Sequence, residues 1–581
     1  MKKYLFLLLT VAFIKPVFCQ QTKWHQSQFV EGVCVDDSTN IFHRLPSSMK
    51  DSVRKPVWDL SENTAGEFIH FKTSATEINV RYTLTNNNFS MPHMPSTGVS
   101  GLDLFAIDIN GNWNWAPGRY HFGDTCSYIF KNLFLARNGT GVADFYLYLP
   151  LYNSVRWLSI GVNEKDSFAF APKRKEKPIV AYGTSILQGA VASRPGLAWT
   201  NILERNLDRT VINLGFSGNG RFEEPIFDLM AKVDAKLYIL DCMPNLTGGY
   251  SDEEIKSRVM YGVNKLRERN KEVPLLFVEH AVGYAPYFMD TARLHEYHHS
   301  SLVIEKIFNE LRATGISNIY LLTDKEIDFD INSTTEGLHP NDIGMMKYAV
   351  AYENKIREIL NEPVGKIVTE IPVEQYRDGY DWIARHEAVK EDILKNNPRN
   401  LIIGNSIIHY FGGTPAYNIS RGKAAWDQYL QPLKVQNAGF GWDRIENVLW
   451  RVYHGEFDDF KGKDIVLMIG TNNLSAGNSD DEIVEGLQFL ITAIKQRKPN
   501  VHLIMVGILP RTQSEARVAA INKKIKVMAL KNGIQYADFG KDFLIRDKVN
   551  AKLFLKDGLH PDGDGYGVLG KDLNKLLMSN N

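Results

Sequence analysis

The rhythm of hydrophobic and polar positions divides this chain into regions. From about residue 21 to 172, short runs alternate at every second position, as in Glu77-Ile78-Asn79-Val80-Arg81-Tyr82-Thr83-Leu84 and Asp144-Phe145-Tyr146-Leu147-Tyr148-Leu149. That period, with aromatic and β-branched residues, predicts antiparallel strands and hence a β-sandwich or jelly roll. The run Lys173-Arg174-Lys175-Glu176-Lys177-Pro178 reads as a solvated linker. Beyond it the strands become near-continuous apolar runs: Ile179 to Tyr182, Leu237 to Leu240, Leu275 to Val278 and Ile319 to Leu322. They alternate with amphipathic helical stretches. Strands of this kind are buried on both faces, as in a parallel sheet covered by helices. The pattern closes near Leu360, and a second linker with Pro363 and Pro372 spans about 361–380. The alternation then restarts, with strands at Leu401 to Ile403, Ile465 to Ile469 and Leu503 to Val506. The expected class is α/β: two three-layer α/β/α domains with parallel sheets, at 173–362 and 381–581, preceded by an all-β domain at 21–172.

The N-terminus changes this picture only in where the protein is expected to act. Met1-Lys2-Lys3 precedes an apolar run from Leu5 to Ile14, the form of a secretory signal peptide covering residues 1–20. The run is too short for a permanent membrane span. Cys19 raises lipidation, but Phe18 before it is too large for that cleavage site. The expectation is an exported protein, periplasmic or secreted, without stable membrane insertion. The formal net charge is zero, so no general affinity for nucleic acid is expected. An oxidising compartment would permit a Cys34–Cys126 disulfide, whereas Cys242 ends a buried strand and reads as a packed thiol. Trp113, Trp115, Tyr120 and Tyr128 cluster near a turn-rich stretch, either as core and rim aromatics or as a sugar-stacking surface.

The candidate chemistry occurs twice in one order. The first half holds Ser185, Gly215, Asn245, Glu336 and His339; the second holds Ser406, Gly439, Asn472, Asp557 and His560. Each serine directly follows a buried strand, in Gly183-Thr184-Ser185 and Gly404-Asn405-Ser406, which places its hydroxyl at the carboxyl edge of a parallel sheet. Gly215 lies in Asn-Leu-Gly-Phe and Gly439 in Asn-Ala-Gly-Phe, where a backbone N–H is expected to meet an oxyanion. Asn245 and Asn472 sit beyond strand ends, where an amide is expected to donate to the same oxyanion. A carboxylate three residues before a histidine accepts the imidazole Nδ1–H, the orienting role of a triad acid. The longer side chain of Glu336 changes the reach of that contact. His295, His298 and His299 lack the companions of a metal site, Asp562 and Asp564 lack the spacing of a calcium loop, and no phosphate or dinucleotide fingerprint is present. No metal and no cofactor is expected.

On these residues both halves resemble the SGNH (GDSL-type) hydrolases. Asn437-Ala438-Gly439-Phe440-Gly441-Trp442, Asn447-Val448-Leu449-Trp450-Arg451 and Gly470-Thr471-Asn472-Asn473 are similar to platelet-activating-factor acetylhydrolase-like members. The first half, with Gly183-Thr184-Ser185-Ile186-Leu187-Gln188-Gly189, resembles a bacterial branch whose N-terminal β-domain carries a Gly-x-Asp-Leu-Tyr signature, here Gly101-Leu102-Asp103-Leu104-Phe105. The usual aspartate before the nucleophile is Thr184 in one half and Asn405 in the other. The resemblance implies metal-free ester hydrolysis through an acyl-serine. Exported tandem members suggest removal of O-acetyl groups from carbohydrates, either plant polysaccharides or sialylated glycans. The alternatives are a lipid or phospholipid acetylhydrolase, a glycan-binding protein with only the second α/β domain active, and an O-acetyltransferase.

Overall fold

The computed structural model describes residues 21–134, 141–246, 248–283, 285, 287–376 and 379–579; the expected signal peptide lies outside the described residues. The N-terminal region is a sandwich of two five-stranded antiparallel sheets. One runs Thr22–His25, Val155–Asn163, Ile78–Leu84, Cys126–Phe130, Arg119–His121. The other runs Phe168–Phe170, Phe68–Thr73, Ala143–Tyr148, Asp103–Ile107, Trp113–Ala116. Strand Ile78–Leu84 behaves as its alternation predicts: Ile78, Val80 and Tyr82 are buried and Arg81 is exposed. Ala143–Tyr148 departs from it, because every residue is buried. Phe145 and Leu147 fill the sandwich core. The opposite face carries Tyr148, which donates to Glu204 at 3.0 Å, and Tyr146, which accepts from Arg174 at 2.9 Å. The polar face of this strand is an interdomain surface.

Each α/β domain has a five-stranded parallel sheet of one topology. In the first the spatial order is Val211–Gly215, Ile179–Gly183, Leu237–Asp241, Leu275–Val278, Ile319–Leu322. In the second it is Val435–Gly439, Asn400–Gly404, Asp464–Met468, His502–Val506, Gln535–Ala537. The first strand of each domain thus lies between its second and third. The chain leaves it in opposite directions on its two sides, and the crevice at such a switch point is where ligands bind. Helices Glu224–Met230, Asp252–Arg269 and Thr291–Ala313 cover one face of the first sheet, and Trp199–Leu207 and Asp342–Leu360 the other. In the second domain Trp382–Asn396, Ile445–Tyr453, Asp480–Arg497 and Glu515–Lys531 cover one face, and Gly563–Met578 the other.

Three expectations change. The charge run at 173–178 is not simply solvated: Arg174 pairs with Asp208 at 3.0 Å, and Glu176 with the buried Arg209 at 2.7 Å. Arg209 also meets Glu362, which pairs with Arg497 of the second α/β domain, so the linker is part of an ionic junction between the two α/β domains. Cys34 and Cys126 are both free thiols. Cys34 packs against the core of the first α/β domain, whereas Cys126 belongs to the sandwich core, so they occupy separate interiors. Cys242 is buried in the first α/β core. The four aromatics do not form one surface either. Trp113 and Trp115 lie on one sheet and Tyr120 and Tyr128 on the other, with Tyr128 buried.

Candidate active sites

Each nucleophile position is built by a strand, one non-helical residue and a short helix. Thr184 and Asn405 are the N-caps: their side chains accept the N–H of Ile186 and of Ile407. A hydroxyl or carboxamide does this as well as a carboxylate, which explains how the position tolerates the absence of aspartate. Ser185 and Ser406 are the first helical residues, where backbone N–H groups have no intrahelical acceptor. Ser185 Oγ lies 2.7 Å from His339 Nε2, and Ser406 Oγ lies 2.8 Å from His560 Nε2. His339 Nδ1 is 2.7 Å from Glu336 Oε1, and His560 Nδ1 is 2.8 Å from Asp557 Oδ2. Both histidines sit on loops leading into the last helix of their domain. Burial opposes ionisation of Glu336, but the backbone N–H and imidazole of His339 outweigh it and hold the carboxyl below its ordinary range. Asp557 is shifted down in the same way, by His560 and the N–H of Leu559. The acids are therefore anionic partners for an imidazolium formed during attack.

The extra methylene of Glu336 is absorbed locally. Its Oε1 accepts both the backbone N–H of His339, at 2.7 Å, and Nδ1. Asp557 divides the work: Oδ1 takes the N–H groups of Leu559 and His560, and Oδ2 takes Nδ1.

Gly215 and Gly439 do not fill the role expected of them. The N–H of Gly215 donates to Asn213 Oδ1 at 2.9 Å, and that of Gly439 to Asn437 Oδ1 at 2.8 Å. Both amides are consumed inside the fold. Glycine is needed there because the nucleophile helix lies on the strand end: a Cβ would come within 2.3 Å of the Gln188 or the His409 nitrogen. Asn213 and Asn437 tie that helix down by donating to Leu187 O and Ile408 O, both at 2.7 Å. The loop beyond is gripped from the same helix, three residues past each serine. Gln188 Oε1 accepts from Ser217 N–H, and His409 Nδ1 from Gly441 N–H, both at 3.0 Å. Burial, then the guanidinium groups of Arg385 and Arg451, keep His409 neutral and fit to accept.

The two asparagines bind the neighbouring loop with different atoms. Asn245 accepts the N–H of Gly220 through Oδ1 at 3.1 Å. Asn472 Nδ2 spends one hydrogen on Asp443 O at 2.9 Å and keeps the other.

Family models of the GDSL-like lipase/acylhydrolase family match residues 176–357 and 402–568, and one for the N-terminus of SGNH-hydrolase-type esterases, carrying the GxDLY signature, matches 18–168. Platelet-activating factor acetylhydrolase IB subunit alpha2 of Homo sapiens is 30% identical over 202 residues, 34% of this chain and 83% of the relative. Subunit alpha1 of Bos taurus is 24% identical over 212 residues, 36% of this chain and 87% of the relative. The crystal structure of a GDSL-like lipase from Bacteroides ovatus is 30% identical, covers 59% of this chain and 98% of that one, and superimposes with a TM-score of 0.52.

This chain is a tandem SGNH hydrolase. Its family is that of ester hydrolases, and the geometry fits that chemistry twice. Attack by serine Oγ on an ester carbonyl passes the hydroxyl proton to histidine Nε2, and collapse of the tetrahedral adduct returns that proton to the leaving alcohol. Water repeats the sequence on the acyl-serine.

Two positions that the sequence reading overlooked lie three residues past the glycines. Gly218 is exposed at φ 67°, and its N–H has no acceptor among the described residues. Trp442 occupies the matching place at φ 68°, with its side chain 53% exposed. The signal was present in sequence as a second glycine at one site and its replacement by tryptophan at the other. The GxDLY signature also gains a function. Asp103 accepts Arg194 at 2.5 Å, the backbone N–H of Gly196 at 2.8 Å and Trp115 Nε1 at 2.6 Å. It clamps the sandwich onto the loop that follows the first nucleophile helix.

Proposed function

We propose that this SGNH hydrolase is an exported carbohydrate O-acetylesterase with two working serine sites. The carrying observation is the serine–histidine–acid geometry, repeated at 2.7–2.8 Å in both α/β domains. The acetyl group is suggested by relatives named acetylhydrolases at 30% identity. A carbohydrate partner is supported by the surroundings of the second site. The Tyr410 ring lies 5.6 Å from the His560 ring, stacks with Tyr417 at 13°, and is accompanied by exposed Trp442. Flat aromatic faces beside polar groups suit sugar rings. Export is supported by the basic start and apolar run of residues 1–20.

A second reading has its own observation at the first site. There Met91, Phe288 and Leu338, the last adjoining His339 in the chain, are partly buried against the apolar core, which favours a longer or more apolar acyl group at Ser185, as in a lipid esterase. Hydrolysis of 4-nitrophenyl acetate, butyrate and octanoate, and of acetylated xylan and O-acetylated sialic acid, by wild type, Ser185→Ala, Ser406→Ala and the double variant tests both. Acetate release from glycans that depends on Ser406 supports the proposal. Full activity in the double variant would sink it.

A further inference from the structure

Behind each strand-end glycine lies a buried arginine that, among the described residues, touches no carboxylate. Arg44 comes from the N-terminal sandwich region, between strands Thr22–His25 and Phe68–Thr73. Its Nη1 donates to Gly215 O at 2.6 Å and to Asn213 O at 3.2 Å, while Nε and Nη2 bind Asn63 O and Leu60 O. Its guanidinium stands 5.0 Å from the ring of Phe216, the next residue. Arg385 comes from helix Trp382–Asn396 of the second α/β domain. Its Nε donates to Gly439 O at 2.8 Å and its Nη2 to Asn437 Oδ1 at 3.4 Å. Its guanidinium stands 5.2 Å from Phe440, again the next residue. The two arginines are 341 positions apart and arrive from unrelated elements, yet meet the same peptide and the same ring (385 − 44 = 341).

Among the described residues neither is ion-paired; their acceptors are carbonyls, and for Arg385 also an amide oxygen. Burial lowers both guanidinium pKa values, and Glu67 near Arg44, and Glu456 and Asp443 near Arg385, offset that only through space and without contact, so a structural role alone would be better served by a neutral donor. What an unpaired guanidinium adds is fixed positive charge at the end of the strand that launches the loop carrying Gly218 or Trp442. Its fork also pins the last peptide of that strand from behind.

We propose that the loops carrying Gly218 and Trp442 are the oxyanion loops, that Arg44 and Arg385 are their positioning residues, and that the sandwich domain therefore completes the first active site. The proposal rests on the reading of Ser185 and Ser406 as nucleophiles. It goes beyond that reading in assigning a role at each site to a residue outside the triad, and to a different domain at the first.

The test isolates one site at a time. Arg44→Lys and Arg44→Gln are made in the Ser406→Ala chain, and Arg385→Lys and Arg385→Gln in the Ser185→Ala chain. A fluorophosphonate counts reactive serines, so that kcat is expressed per intact site. The glutamine variants are expected to lose about 10- to 100-fold in kcat with KM changed by less than about twofold, the scale of a small misplacement of reacting groups. The lysine variants should recover part of that loss. A phenylboronic acid, whose serine adduct is tetrahedral and anionic, should weaken by the factor seen in kcat/KM, while inhibition by acetate should not move. Wild-type kcat in both glutamine variants, or equal weakening of the boronate and acetate, would overturn the proposal. Should Arg44→Gln fail to fold, Arg44→Lys and the Arg385 pair give the same comparison. Absence of both titratable serine and turnover in the parent chains would overturn the esterase reading instead, a result visible before any arginine is changed.

Discussion

The two α/β domains reach one catalytic geometry with different parts. In the first, the triad acid is Glu336, the loop N–H belongs to Gly218, and the arginine behind the glycine is borrowed from the sandwich. In the second these places hold Asp557, Trp442 and the domain's own Arg385. The serine–histidine distances nonetheless agree, at 2.7 and 2.8 Å. The shared features are those that orient a proton and an amide. The variable ones decide what surrounds them: apolar residues near Ser185, aromatic faces near Ser406.

The strongest way to break the comparison is to remove one nucleophile at a time. Each of Ser185→Ala and Ser406→Ala should retain part of the 4-nitrophenyl acetate activity, and the double variant should lose at least about 10⁴-fold. Loss of all turnover in Ser406→Ala alone would make the first domain a binding or structural module. Next come the triad acids. Glu336→Ala and Asp557→Ala should each lower kcat at their own site by about 10³- to 10⁴-fold. Exchange is more informative. Glu336→Asp should cost about tenfold, because the one Glu336 oxygen that serves both the backbone N–H and Nδ1 of His339 is withdrawn by a methylene, and the loop must shift before a shorter acid can reach the two-oxygen arrangement that Asp557 uses. Steady-state kinetics at the isolated site reads the outcome; unchanged kcat would show that the acid's reach is not what holds the imidazole.

A pH dependence should also mark one strand position at which the domains differ. At the strand position paired with Gly183 stands Asp241; at the one paired with Gly404 stands Met468. Burial pushes the Asp241 carboxyl up to about 7 despite the hydrogen bond from Tyr352 at 2.8 Å. Its unfolded value is near 3.8. The folded state therefore binds the proton more tightly, and stability is lost as pH rises from about 4 to about 7, by an amount of order 4 kcal/mol. Asp241→Asn should remove that slope from the unfolding of the first domain. A thermogram in which wild type and variant differ equally at pH 4.5 and 7.5 would refute it.

Much of this was legible in sequence for physical reasons. Strands buried on both faces have to be continuous apolar runs, so Leu275–Val278 falls where the pattern placed it, as does the half-buried edge strand Ile319–Leu322. The acid and histidine lie three residues apart on one loop, so their meeting is local. Gly215 and Gly439 were misread because the direction of an N–H depends on a side chain two residues earlier, Asn213 or Asn437, turning back to capture it. Arg44 was invisible because the peptide it grips is 171 residues away in another domain. The Cys34–Cys126 pairing failed because compartment chemistry permits a bond without placing two thiols in one core.

The smallest effect sharpens the comparison most. Trp442 holds φ 68°, a region that costs a non-glycine residue about 1 kcal/mol or more, where the first domain uses Gly218. A bulky residue kept there against its backbone preference leaves half its side chain in water, where a sugar ring can reach it. Trp442→Gly should thus leave the fold as stable or about 1 kcal/mol more stable. It should raise KM for acetylated oligosaccharides several-fold, on the scale of one lost aromatic contact of about 1 kcal/mol. KM for 4-nitrophenyl acetate, which has no sugar ring to stack, should change less. If both substrates suffer equally, Trp442 shapes the oxyanion loop rather than the glycan site, and the aromatic rim beside Ser406 loses its role in specificity.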